Sequence, residues 1–208
     1  MVHSRSAIVQ DIKGMQAAGL ATLAYYYFDF RDVKKQDSHG LLSSLISQLS
    51  AESDSCSDVL SRLYSDHCHG THGIRSPDID ALKKCLSGML GLPGKAPTYF
   101  IIDAVDECPN FPGMPSARGE VLDLIEELVD LKLPNLHLCV ASRPEMDIRI
   151  VLDPLTSLKI SLHDEIGQKE DIIKYIKFIV FSDQNMRRWK EEDRQLVIDT
   201  LSDGADGM

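Results

Sequence analysis

Nine consecutive residues, Tyr99-Phe100-Ile101-Ile102-Asp103-Ala104-Val105-Asp106-Glu107, limit the fold of this chain more than any other stretch. Four large apolar residues run straight into three carboxylates. A segment that is apolar on both faces is a strand covered on both sides, the kind found inside a parallel sheet. The acids leave that strand at its carboxyl end, where open α/β sheets bind their ligands. An Asp there can hold the Mg2+ of a nucleotide, and a second acid nearby can orient or deprotonate a water. The same residues also read as a buried strand followed by a solvated acidic turn.

The rest of the chain alternates in the way such a sheet requires. Ile8, Ile12 and Met15 recur at helical spacing over Ser6–Ala18, and Gly19 stops that helix. Leu20–Phe30, with Tyr25-Tyr26-Tyr27-Phe28, predicts a buried strand, left through the charged loop Arg31–Asp37. Leu41, Leu42, Leu45, Ile46 and Leu49 predict an amphipathic helix. Residues 50–75 are polar, with a short helix around Val59, Leu60 and Leu63. Ser76-Pro77-Asp78 predicts a helix start with Ser76 as cap; Ile79, Leu82, Leu86 and Met89 form its buried face, and Gly91–Gly94 ends it. Beyond the acids come a Pro-rich loop over Cys108–Gly119, a helix face at Val121, Leu122, Ile125, Leu128 and Val129, and a strand at Leu136–Ala141 running into Ser142-Arg143-Pro144-Glu145. A short helix to Val151, a weak strand at Leu158–Leu162, and helices at Ile166–Val180 and Glu192–Leu201 complete the chain. Alternating strand and helix predict an α/β fold with a mostly parallel sheet.

The 208 residues suffice for one α/β domain with a real core. A formal net charge of −10 argues against broad nucleic-acid binding, which needs a basic footprint. No apolar run is long enough to span a bilayer, and the start has no signal-peptide h-region. Five cysteines, an odd number at irregular spacing with no C-x-x-C pair, read as reduced thiols and predict a cytoplasmic protein.

Asp103, Asp106, Glu107, Ser142 and Arg143 all fall just past predicted strand ends, which in a parallel sheet share one edge. An Asp for Mg2+, an acid for water and a polar-plus-Arg pair for phosphate charge would form a nucleoside triphosphate site. Arg143 taken alone also reads as a surface Arg before a Pro turn.

Four motifs in order, Tyr25-Tyr-Tyr-Phe-Asp-Phe-Arg-Asp, Leu41-Leu-Ser-Ser-Leu-Ile-Ser-Gln-Leu, Phe100-Ile-Ile-Asp-Ala-Val-Asp-Glu-Cys and Ala141-Ser-Arg-Pro-Glu, resemble the NACHT domain of fungal STAND signalling NTPases. The branch is the nephrocystin-type one, similar to heterokaryon-incompatibility proteins that carry ankyrin or WD repeats further on. The resemblance implies a three-layer P-loop NTPase fold of the additional-strand type. It implies a switch between closed monomer and oligomer, driven by binding and hydrolysis of ATP or GTP with Mg2+. Asp103 matches the Walker B Asp that holds Mg2+. Glu107 and Asp106 match the acids that follow it, one of them catalytic, and Arg143 with Ser142 matches the nucleotide-binding sensor after the next strand. Residues 1–182 would be the NTPase domain and 183–208 the start of a helical region.

The family's phosphate loop, G-x-x-x-x-G-K-[ST], does not occur in these residues, so the chain reads as starting just after it, with the first strand missing. That strand would lie between those matching Leu136–Ala141 and Leu158–Leu162. Gly91-Leu-Pro-Gly94-Lys95 is no substitute: Ala96 stands where Ser or Thr is needed, the glycine spacing is wrong, and it precedes a strand. Two expectations follow. One is the NTPase module of a NACHT switch, deficient in nucleotide binding in this form. The other is a non-catalytic fragment that holds no cofactor and acts through self-association or contact with a family partner.

The residues His67-Cys68-His69, with His72 and Cys56, are metal-ligand types at no common zinc spacing, and read as a solvated loop. Nothing in the sequence marks a partner base for Cys108 or Cys139, and the resemblance, in which a Cys after the acidic cluster is common, implies a packing role. The aromatic run Tyr25–Phe30 reads as core, and Arg187–Arg194 as a solvated helix face.

Overall fold

The computed structural model describes residues 7–68, 77–94, 96–111, 116–160 and 166–204. The chain divides into two compact units, 1–156 and 157–208. The first is an α/β unit built on three parallel strands, β1 (Thr22–Tyr27), β2 (Thr98–Asp103) and β3 (Leu136–Val140), in the spatial order β1-β2-β3. The acid-bearing strand is therefore the central one. Thr22 pairs with Thr98 and Thr98 with Leu136, so all three carboxyl ends reach the same edge.

Period-two alternation sends the two sets of strand side chains to opposite layers. Ala24, Tyr26, Phe28, Phe100 and Ile102 enter the larger core. Its helices are α2 (Ser38–Glu52), α3 (Asp54–Cys68), α4 (Ile79–Leu90), α5 (Ala117–Asp130) and α6 (Met146–Leu155). Leu23 and Ile101 face the other way, onto Val9 and Ile12 of α1 (Ala7–Ala17). Burying one such Leu, Ile or Phe contributes about 1.5–3 kcal/mol, and Phe100, Ile102, Leu41, Leu42, Leu45 and Leu49 are all fully buried.

Caps set where these helices start. Asp37 accepts from Gly40 N at 2.7 Å to open α2, and Ser116 accepts from Gly119 N at 3.0 Å to open α5. Helix α4 is capped by Asp78, which accepts from Ala81 N at 2.8 Å, so the start expected at Ser76 moves to the acid two residues on. Gly91 closes α4, as its sequence suggests. Helix α3 is longer than the short helix expected, because Cys56, Val59, Leu60 and Leu63 keep helical spacing and all pack on the core.

Strand β1 is shorter than Leu20–Phe30. Leu20 and Phe30 are both exposed, and Phe30 leaves the core in the turn after β1. The outer edge of β1 is covered by Gln48 of α2, which accepts from Tyr25 N at 3.1 Å and donates to Tyr25 O at 2.8 Å. Strand β3 pairs, among the described residues, with β2 alone. The strand expected at Leu158–Leu162 does not form over its described part: Leu158 and Ile160 are exposed in irregular backbone, and 161–162 lie outside the described residues. Alternation of Leu158 and Ile160 is the local signature of a strand, but a strand also needs a neighbour for its backbone groups.

The second unit is helical, with α7 (Ile166–Ser182) and α8 (Glu191–Gly204). Among the described residues, no helix is long and apolar enough to cross a membrane.

Candidate functional site

The acids sit where β2 stops, and a single backbone feature turns them out of the sheet. Ala104 adopts φ 58°, ψ 44°, the left-handed region that side-chain-bearing residues seldom occupy. Such a conformation costs about 1–3 kcal/mol and persists only where the surroundings hold it. Here Asp103 Oδ1 accepts from Ala104 N at 2.9 Å, and a 3-10 turn over Val105–Glu107 follows, closed by Glu107 N to Ala104 O at 2.9 Å. Val105, fully buried, anchors the turn in the core. Both neighbouring strands are stitched to it: Phe28 N donates to Asp103 O at 3.1 Å, and Val105 N to Ala141 O at 3.3 Å.

The three carboxylates diverge. Asp106 turns toward the end of β3, accepting from Arg143 N at 3.0 Å, with Arg143 Nε at 3.4 Å. Glu107 turns toward the end of β1 and accepts from Phe30 N at 3.2 Å. Asp103 stays between them, half-buried at the tip of the central strand. The structure thus brings Asp106 and Arg143 into contact and puts Asp103 and Glu107 on the same edge. Ser142 is exposed on that edge, its hydroxyl donating to Arg143 O at 3.1 Å. Among the described residues no three His, Cys, Asp or Glu side chains converge as a metal cage. A nucleotide-bound Mg2+ asks less of the protein, one or two carboxylates with water and phosphate supplying the rest. Asp103 fits that demand.

Gly91–Gly94 lies at the opposite edge of the sheet, ahead of the first residue of β2. Thr98 to Asp103 is a rise of roughly 16 Å, so that turn cannot cradle a phosphate beside the acids. Lys95, His69 and His72 lie outside the described residues, as do the side chains of His67 and Cys68. Cys56 is buried in α3. Cys108 is fully buried with Sγ donating to Gln36 O at 2.9 Å, and burial pushes its thiol up to about 12, far from a nucleophile. Burial raises the Cys139 thiol as well.

Sequence reasoning missed two parts of this edge. One is the exit of β1, where Asp29 binds Arg31 through Nε at 2.9 Å and Nη2 at 3.1 Å, and the exposed Phe30 lies between them. Hydrogen bonding to Arg31 holds the Asp29 carboxyl down at about 2. The other is Arg118, buried on the first turn of α5. Its Nη2 donates to Asp106 O at 2.6 Å and its Nε to Cys108 O at 2.9 Å. Its Nη1 donates to Glu145 and, at 3.2 Å, to Asp147 Oδ2. Burial works against its charge, but these carboxylates outweigh that and leave its affinity for the proton raised. A positive side chain at a helix N-terminus opposes the macrodipole, and that mismatch is the signal by which Ala117-Arg118-Gly119 stands out.

An open parallel sheet with a strained acidic turn at the carboxyl edge of its central strand is an α/β arrangement, and in open α/β sheets that edge is where ligands bind. The model of the nephrocystin 3, N-terminal family matches residues 4–143, more than half of the chain, and the chain belongs to that family. The match runs from α1 to Arg143 and so takes in Asp103, Asp106, Glu107, Ser142 and Arg118. No curated protein and no solved structure matches the chain.

Proposed function

We propose that this edge is the metal-and-water half of a nucleoside triphosphate site in a NACHT-type signalling switch, on a P-loop-like fold. The observation that supports it is the left-handed turn at Ala104, which sets Asp103 alone at the tip of the central strand with Glu107 and Asp106 to either side. Asp103 would hold Mg2+, which, when bound, supplies positive charge to the phosphate oxygens. Glu107 would direct the attacking water. Asp106 is the weaker candidate for that role, since it is largely buried and already braces Arg143. Arg143, 85% exposed, is free to swing toward phosphate charge.

Most triphosphate affinity in P-loop proteins comes from backbone N–H groups and a Lys in the loop G-x-x-x-x-G-K-[ST]. These 208 residues contain no such sequence, so Asp103 faces phosphate with its own negative charge and without that cradle. The 208 residues should therefore bind ATP and GTP far more weakly than micromolar. The test is a fluorescent-nucleotide titration, on these residues and on the same residues joined behind a strand and a phosphate loop. In the joined protein, Asp103→Ala should weaken Mg2+-dependent binding by roughly tenfold or more, and Glu107→Gln should leave binding but slow hydrolysis. Binding unaffected by Asp103→Ala would overturn the proposal. A second function, contact with a relative without any hydrolysis, is favoured by the bracing of Asp106 and Glu107 onto neighbouring strand ends; it predicts that neither variant changes nucleotide handling.

A further inference from the structure

Arg118 is the only buried charged residue among those described. Stability alone does not ask for it, because a buried cation costs desolvation that an apolar side chain of similar volume avoids. Its contacts have a pattern that an apolar residue could not reproduce. One guanidinium holds two backbone carbonyls of the acidic turn, those of Asp106 and Cys108, which flank Glu107. The other end of the same fork holds Glu145 and Asp147 at the start of α6. Asp147 is bound a second time, by Asn110 Nδ2 at 2.8 Å, from the loop that follows the acids. Helix α6 begins three residues after Arg143 and is the last element before the chain passes into the second unit.

We infer that Arg118 is a positioning residue that locks the acidic turn after β2 to the first turn of α6, so that displacement of α6 displaces Glu107 and Asp106. Arg143 N on Asp106 ties the same turn to the link that leads into α6. Only a planar fork of five donors spans four acceptors this way; a Lys, a point charge with three donors, cannot. In the function proposed above, on which this inference rests for its purpose but not for its test, the lock makes the position of the water-directing acid answer to the helix at the exit of the first unit.

Amide hydrogen exchange on the 208-residue protein tests the coupling without any nucleotide. Removing the two carboxylates of α6 by Glu145→Ala with Asp147→Ala should speed exchange in residues 103–108 by roughly tenfold, the cost of losing charge-assisted hydrogen bonds, while residues 22–27 keep their rate. In an Arg118→Lys background exchange at 103–108 should already be fast, and the α6 pair should add little. Unchanged exchange at 103–108 in the α6 variant, or the same acceleration with Arg118 and with R118K, would overturn the inference. If R118K does not unfold cooperatively, the α6 variant on its own decides, by whether 103–108 accelerates and 22–27 does not. Coupling in the 208-residue protein, together with nucleotide binding by the joined protein that Asp103→Ala leaves unchanged, would retain the lock and lose the nucleotide proposal; the converse result would do the opposite.

Discussion

Replacing Asp106 separates the bracing of the site from its chemistry. Its carboxylate is 11% exposed, and it meets Arg143 in two unequal ways. The backbone N–H of Arg143 donates to it at 3.0 Å, and a hydrogen bond of that kind to a charged group contributes about 1.5–3 kcal/mol. The guanidinium contact, at 3.4 Å with a side chain 85% exposed, is a surface ion pair of about 0–1 kcal/mol. Asp106→Ala removes both and should cost about 2–3 kcal/mol. Asp106→Asn keeps an acceptor and loses the charge, for about 1 kcal/mol, and Arg143→Ala should cost less than about 1 kcal/mol. For a chain of this size 1 kcal/mol moves Tm by roughly 2–4 °C, so Asp106→Ala should fall by about 4–12 °C and Arg143→Ala by no more than about 4 °C. Urea unfolding followed by circular dichroism, at constant m, reads these differences directly. If Arg143→Ala costs as much as Asp106→Ala, the guanidinium carries the brace and its freedom to reach phosphate is wrong. If Asp106→Asn matches Asp106→Ala, the charge and not the hydrogen bond is what matters.

Three further expectations come from the same structure. Gly14 lies exposed in the middle of α1 with open space where a Cβ would go, so Gly14→Ala should stabilise by about 0.5–1 kcal/mol. A Cβ on Gly40 would meet Lys34 O at 2.5 Å and the Tyr26 hydroxyl oxygen at 2.7 Å, so Gly40→Ala should destabilise by about 1–3 kcal/mol despite the better helix former; thermal melts of the two variants that shift in the same direction would count against the packing described at α2. Asp29, held near 2 by Arg31 against an ordinary 3.8, contributes stability that is present above about pH 4 and is lost as pH falls through about 2. Carboxyl carbon NMR should find that midpoint in the wild type and a higher one in Arg31→Ala, still short of 3.8 because the backbone N–H of residue 31 keeps donating to Asp29; equal midpoints would contradict the pairing.

The periodic parts of this molecule were legible in the chain alone. The apolar run Tyr99–Ile102 states a strand buried on both faces, and the acids after it state where the sheet edge carries polar groups. The spacing of Leu41, Leu42, Leu45, Ile46 and Leu49 states a helix and the face it buries. These are local regularities, and burial of apolar area rewards them wherever they occur. What the chain alone did not decide depends on neighbours far away in sequence. Leu158–Ile160 alternates like a strand and is not one over its described length, because backbone pairing must come from another segment. Asp103, Asp106 and Glu107 look alike as a run of acids. Tertiary structure turned one toward β3, one toward β1 and left one between, through backbone donors at Arg143 and Phe30 that lie 37 and 77 residues from their acceptors. Arg118 carried a faint local signal, a cation misplaced at a helix start. Its partners at 106, 108, 145 and 147 become neighbours only when β2, α5 and α6 pack, since four acceptors from separate segments can satisfy one buried guanidinium only in the folded chain.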